Sequence, residues 1–89
     1  MALRILSEPR AARDVGDELR RAVAAALPDA QVEVEAGGPG HFSIRVVSRA
    51  FAGQSRVRQQ QLVYGAIAHL MQGDAAPVHA IDRLLTELP

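Results

Sequence analysis

The sequence contains no cysteine. This absence excludes disulfides, a zinc ribbon and catalysis by a thiolate of this chain, and it suits a reducing compartment. No apolar run approaches the roughly 20 residues that a membrane span needs. The apolar patch in MALRILSEPR is also too short for the core of a secretory signal peptide. We therefore expect a cytoplasmic protein with no membrane partner.

Aromatic residues are scarce too: Phe42, Phe51 and Tyr64 are the only three. The core must therefore be built mainly from the aliphatic residues Leu, Val, Ile and Ala. Tyr64 is predicted to lie in this core rather than to form a platform on which bases stack. A chain of 89 residues is long enough for one small domain, so we predict a single domain over residues 1–89. Ser or Cys nucleophiles paired with His, framed carboxylate pairs and a P-loop are all missing, which argues against an enzyme.

Acidic residues are missing from the middle of the chain. Residues 36–73 contain no Asp or Glu, but they contain Arg45, Arg49, Arg56 and Arg58. The net charge of the whole chain is zero, so any positive surface must be local. The sequence leaves two interpretations open: the four arginines form one positive face, or they are scattered over a solvated surface.

The first half of the chain predicts one helix and two strands. The helix is predicted to start at Ser7-Glu8-Pro9. Its apolar residues recur in steps of three and four, and they are Val15, Leu19, Val23, Ala26 and Leu27. QVEVE and HFSIRVVS then alternate between apolar and polar residues on either side of GGPG. This pattern predicts an antiparallel hairpin from Gln31 to Ser48, with Phe42, Ile44 and Val46 on one face.

The second half predicts a helical segment and a third strand. Ser55 is a candidate N-cap, and Gly65 leaves open whether one helix or two short helices follow. The final VHAIDRLLTELP fits either a helix or a strand. We favour a strand from Val78 to about Arg83, because it completes a three-stranded sheet. The predicted fold is α+β, a small three-stranded sheet with helices packed on one face.

Two blocks of the sequence resemble the BolA family. HFSIRVVSRAFAGQSRVRQQQLVYGAI, from His41 to Ile67, is similar to the family's central block, with its His-Phe pair, alternating strand, aromatic-Gly turn and basic helix. VHAI, from Val78 to Ile81, is similar to its C-terminal Val/Ile-His-Ala motif. The likeness is closest to short-loop bacterial members of the family, and it implies a fold similar to the type II KH domain.

The resemblance also implies a function and a set of site residues. It implies partnership with a monothiol glutaredoxin in iron–sulfur cluster handling, with a [2Fe-2S] cluster shared between this protein, the glutaredoxin and glutathione. The C-terminal His of the family is a cluster ligand, which carries over to His79. The second family ligand is a Cys or His in the loop between the first two strands. That loop, EAGGPGH, contains no Cys, and its only candidate is His41.

The segment from Ser55 to Met71 supports a second interpretation. In outline it resembles a helix-turn-helix, so the alternative function is a DNA-binding transcriptional regulator. Arg56, Arg58, Gln59 and Gln60 would then contact phosphates and base edges. We favour the interpretation in which these four residues face a protein partner, because a neutral chain neutralises few phosphates. Homodimerisation stays open.

Overall fold

In the computed structural model, which describes residues 11–89, two helices pack on one three-stranded sheet. The helices are α1 (Ala12–Ala26) and α2 (Arg56–Ile67), and the strands are β1 (Gln31–Ala36), β2 (His41–Val47) and β3 (Ala80–Glu87). The α+β class and the order of elements are confirmed. The predicted helix start at Ser7-Glu8-Pro9 lies outside the described residues, and the likeness to a KH domain stays a prediction.

Helix α1 buries the predicted stripe except for Ala26, which is exposed. Val15, Leu19, Val23 and Leu27 are spaced by four residues, and each is at most 7% exposed. Residues at this spacing lie on one face of a helix, and this face packs on the sheet. None of the helices in residues 11–89 combines the length and the apolarity needed to cross a membrane.

The hairpin prediction is confirmed. Strands β1 and β2 pair antiparallel, with Gln31 opposite Val47. Phe42, Ile44 and Val46 are buried under the helices, because successive side chains of a strand point to opposite faces. Their neighbours along β2 therefore face the other, open side of the sheet.

The last segment is a strand, as favoured, and not the alternative helix. β3 begins at Ala80 rather than Val78, and it continues to Glu87 rather than ending near Arg83. It pairs in parallel with the whole of β2, and an irregularity in the ladder falls between Phe42 and Ser43. This long pairing explains why β3 extends further than its own alternation predicts. A parallel pair needs a crossover connection, which the segment containing α2 provides.

Helix α2 runs without a break through Gly65, so the segment forms one α-helix rather than two. Ser55 caps it as predicted, since its hydroxyl accepts a hydrogen bond from the backbone N–H of Arg58 at 3.1 Å. Val63 and Ile67 are fully buried against the core. A single 3-10 turn, Ala68–Leu70, follows the helix.

Gly65 is exposed in the last turn of α2, before the 3-10 turn that continues it, and a Cβ atom there would meet nothing within 4 Å. Glycine in a helix interior is less favourable than alanine because its unfolded chain has more conformational freedom. Gly65→Ala is therefore expected to raise the free energy of unfolding by about 0.5–1 kcal/mol. Urea denaturation measures this. An unchanged or lower midpoint would show that glycine at position 65 serves a purpose other than helix formation.

Asp29 joins the turn after α1 to the end of β2. Its Oδ1 accepts a hydrogen bond from the Ser48 hydroxyl at 2.7 Å, and its Oδ2 accepts one from the backbone N–H of Arg49 at 2.8 Å. The Arg49 N–H, and after it the Ser48 hydroxyl, lower the pKa of the Asp29 carboxyl. A carboxyl with a lowered pKa stabilises the fold at higher pH, and this stabilisation is lost as the pH falls through the folded-state pKa.

Asp29→Asn is expected to lower the urea midpoint at neutral pH, because an amide offers one acceptor oxygen to two donors. The gap between variant and wild type should narrow as the pH falls from about 4, the pKa of an ordinary Asp carboxyl, through the lower folded-state pKa of Asp29. Unfolding curves at several pH values check this. A gap that does not depend on pH would contradict a role for the ionised carboxylate.

Candidate functional site

Two segments that lie far apart in the sequence meet at one end of the sheet. The backbone N–H groups of His79 and Ala80 both donate to the carbonyl oxygen of Gly40, at 2.8 and 3.1 Å. In the parallel ladder, Ala80 lies opposite His41. The fold thus places the loop between β1 and β2 against the start of β3, and both predicted ligand residues lie at this junction.

The His79 side chain is exposed and packs against the backbone of Gly40. A Cβ atom on residue 40 would lie 2.6 Å from Nδ1 of His79 and 2.8 Å from its Cγ. Gly40 also has a φ of 75°, a conformation that L side chains rarely adopt. The ring edge that carries Nδ1 therefore faces the loop, and Nε2 is the ring nitrogen farther from it.

His79 lines an open cleft with a volume of about 700 Å³. The walls come from the start of α1, from the loop between β1 and β2, and from residues 74–77. Most wall residues are glycine, alanine or proline, and Asp74 and His79 supply the ionisable groups. A cleft with small walls and one accessible imidazole gives a partner room to approach that ring.

His41 has a different environment from His79. Its Nδ1 lies 3.0 Å from Oδ1 of Asp82, and both side chains are about half exposed. His41 does not line the cleft. Because Phe42 points into the core, the preceding residue points to the open side of the sheet. Strands β2 and β3 are neighbours, but the two imidazoles lie on different sides of the sheet end.

No metal site is complete within residues 11–89. Their His, Cys, Asp and Glu side chains form no group of three that could hold a metal ion. The loop between β1 and β2 offers no side chain that could ligate beside His79, because it consists of glycines and Pro39 before His41. Within the described residues His79 and the Asp74 carboxylate are the ionisable side chains of the cleft, and a metal held there would need further ligands from elsewhere.

Gln59, which the sequence predicts to face a partner, is tied to the fold through its amide. Its Nε2 donates to the carbonyl oxygens of Phe51 and Gln54, at 3.3 and 3.0 Å. Its Oε1 accepts a hydrogen bond from the Thr86 hydroxyl at 2.6 Å. This side chain thus fixes the first turn of α2 to the far end of β3.

Arg45 lies on the open face of the sheet between two carboxylates. It donates to Glu33 on β1 at 3.1 Å and to Glu87 on β3 at 2.8 Å. The hydrogen bond from Arg45 lowers the pKa of Glu87, and the same bond raises the pKa of Arg45. These pairs neutralise Arg45 and remove it from any positive face.

The other three central arginines differ in whether a carboxylate lies beside them. Arg49 lies 3.5 Å from a carboxylate oxygen of Asp29. Arg56 and Arg58 are exposed and form no ion pair within residues 11–89. Gln60, beside them, is half-buried. The four arginines therefore form no single positive face, and the two of them without a carboxylate partner in residues 11–89 lie in the first turn of α2.

Tyr64 lies on the surface, which makes its predicted place in the core wrong. It is 39% exposed, whereas Val63 next to it is fully buried. The stripe of Val63, Ile67 and Leu70 fills the inner face of the segment. A residue adjacent to that stripe is rotated by about 100° around the helix, so Tyr64 points toward solvent.

Sequence reasoning missed the contributions of Gly40 and Asp82. In the sequence Gly40 is one of several glycines in a loop, and only the approach of His79 shows why this one must be glycine. Asp82 contacts His41 because β3 pairs in parallel with β2 and is irregular at this point. Neither contact leaves a local pattern in the sequence.

This chain matches a family of known proteins. A family model described as BolA-like protein matches residues 20–86. The chain belongs to the BolA family. The matched range includes the loop between β1 and β2, His41 and His79, and nearly all of the sheet. No match is found among curated proteins.

Solved BolA structures share the fold of this BolA-family chain. The BolA domain of SufE1 from Arabidopsis thaliana has a TM-score of 0.71 at 26% identity, covering 90% of this chain and 95% of that one. BolA1 from Mus musculus has a TM-score of 0.70 at 28% identity, covering 100% and 76%. A bolA homologue from Coxiella burnetii has a TM-score of 0.66 at 30% identity, covering 82% and 88%.

Proposed function

We propose that this BolA-family protein acts with a monothiol glutaredoxin in iron–sulfur cluster assembly, trafficking or iron sensing, and that His79 is its ligand to a shared [2Fe-2S] cluster. The observation that carries the proposal is the exposed His79 ring on the wall of a cleft with small side chains. The proposed role is non-enzymatic, because the chain supplies a ligand and a docking surface. The lack of cysteine suits a reducing compartment such as the cytoplasm.

The geometry of His79 fits a ligand that a second protein must reach. A [2Fe-2S] cluster takes four ligands, and His79 would fill one of these positions. The remaining ligands would include a Cys of the glutaredoxin and the thiol of glutathione. When bound, such a cluster with a His ligand has a higher reduction potential than one held by Cys alone.

The backbone around Gly40 holds His79 ready for this role. Two hydrogen bonds to the carbonyl oxygen of Gly40 fix the start of β3, and the loop backbone supports the Nδ1 edge of the ring. A ligand that is held in position loses less conformational entropy when it binds. Nε2 is therefore the atom that we assign to iron.

Anaerobic reconstitution with a monothiol glutaredoxin and glutathione tests the proposal. An equimolar mixture is expected to give a visible circular dichroism spectrum that differs from that of the glutaredoxin alone. The cluster should elute from gel filtration with both proteins together. A spectrum identical to that of glutaredoxin alone, with this chain eluting separately and free of iron, would refute the shared cluster.

A further inference from the structure

The outer face of α2 carries apolar and cationic side chains side by side. Val57 is 62% exposed and Tyr64 is 39% exposed. They are two helical turns apart, so both point the same way. Arg56 and Arg58 flank Val57 and are also exposed. We call these four residues the α2 patch.

The positive charge of the α2 patch is unbalanced by the rest of the described chain. Arg45 and Arg49 have carboxylate partners, whereas Arg56 and Arg58 have none within residues 11–89. Both also lie in the first turn of a helix, where the positive end of the helix dipole disfavours cations, and this turn contains no acidic residue. The side chains of these two arginines therefore form no ion pair that would stabilise the described part of the fold.

The cationic half of the α2 patch is remote from His79. Gln59, next to Arg58, bonds to Thr86 near the end of β3, whereas His79 directly precedes the start of that strand. A strand rises about 3.3 Å per residue, which places Arg56 and Arg58 roughly 20 Å from His79. Tyr64 lies about two turns further along α2, toward the end at which Leu70 accepts a hydrogen bond from the backbone N–H of Val78. Carboxylates of a partner on Arg56 and Arg58 would therefore lie far from the cleft.

We propose that the α2 patch docks an acidic segment of a second protein, and that this segment places an apolar side chain against Val57 and Tyr64. Carboxylates on the segment pair with Arg56 and Arg58. Tyrosine and arginine are typical anchors of protein interfaces. Two free arginines would neutralise only about two phosphates, which gives weak binding to nucleic acid. This docking does not depend on the ligand role of His79.

Selection from a random dodecapeptide display library tests the α2 patch directly. Wild-type protein is expected to enrich peptides that combine Asp or Glu with Leu, Phe or Trp. The enriched peptides, made synthetically, should bind R56E/R58E at least tenfold more weakly than wild type. R13E/R83E is the matched control, because it changes the net charge equally at two exposed arginines elsewhere, and it should bind like wild type.

Further variants separate the two ends of the molecule and the two halves of the patch. Tyr64→Ala is expected to weaken peptide binding severalfold without a change of charge. His79→Ala should leave it unchanged, and R56E/R58E should still form the glutaredoxin-bridged cluster. Circular dichroism should show that R56E/R58E melts no lower than wild type, since glutamate suits the first turn of a helix.

Several results would overturn the docking proposal. They are a selection that enriches no peptide, enrichment without acidic bias, and equal binding by wild type and R56E/R58E. Duplex DNA that binds more tightly than every selected peptide, with loss in R56E/R58E, would assign the patch to nucleic acid instead.

Discussion

Replacing His79 with alanine is expected to abolish the mixed cluster, so that a reconstituted mixture shows only the circular dichroism of the glutaredoxin-bound form. The side chain is exposed, and the hydrogen bond that ties residue 79 to Gly40 uses the backbone N–H, which alanine keeps. The free energy of unfolding should therefore change by less than about 0.5 kcal/mol. Spectra of the reconstituted mixtures and urea unfolding of the isolated variant measure both effects.

His41→Ala is the matched control for this experiment. It removes an imidazole from the same end of the sheet, but from the side where His41 contacts Asp82. The mixed spectrum is expected to survive. Loss of the spectrum in His41→Ala, with retention in His79→Ala, would move the ligand role to the loop and contradict our assignment.

Gly40→Ala is expected to impair both stability and cluster sharing. The left-handed backbone at residue 40 costs about 1–2 kcal/mol for a residue with a side chain. In addition, the new Cβ would lie 2.6 Å from Nδ1 of His79, so the imidazole must move away. We expect a lower urea midpoint and a weaker mixed circular dichroism signal at equal protein concentrations.

Two other glycines separate the causes of this effect. Gly38 has no positive φ, and a Cβ atom added to it would meet nothing within 4 Å, whereas Gly53 has a φ of 74° and open space around it. Gly38→Ala should be close to neutral, and Gly53→Ala should lose stability without losing the mixed signal. If Gly53→Ala also weakens the signal, the loss in Gly40→Ala reflects stability and not the position of His79.

The local elements of this fold could be predicted because apolar residues recur in each with the period of a helix or of a strand. The spacing of Val15, Leu19 and Val23 specifies the inner face of α1, and alternation specifies the hairpin. The apolar residues of the last segment fit both the helical and the strand period, and only the need for a third strand decides between the two. Its true length follows from parallel pairing with β2, which no local pattern contains.

The residues of the candidate site can be proposed from the sequence, but their geometry cannot. The family motif identifies His79, and the topology of the sheet brings His41 to the same end. Which way each imidazole points depends on the alternation of side chains between the two faces of the sheet and on the irregularity beside Phe42. The sequence likewise does not indicate which arginines have a carboxylate partner, because the carboxylates beside Arg45 come from β1 and β3.

The parallel pairing of β2 with β3 also bears on how the chain folds. The hairpin of β1 and β2 closes a short loop, whereas β3 can join only after the whole segment from Ser48 to His79 has been ordered or looped out. Contacts between residues distant in sequence form slowly because loop closure costs entropy before they contribute stability. Docking of β3 is therefore expected to be a late step in folding, and His79 meets Gly40 only when it is complete. A partially folded or nascent chain lacks the junction, so the proposed sharing of a ligand would report that folding has finished.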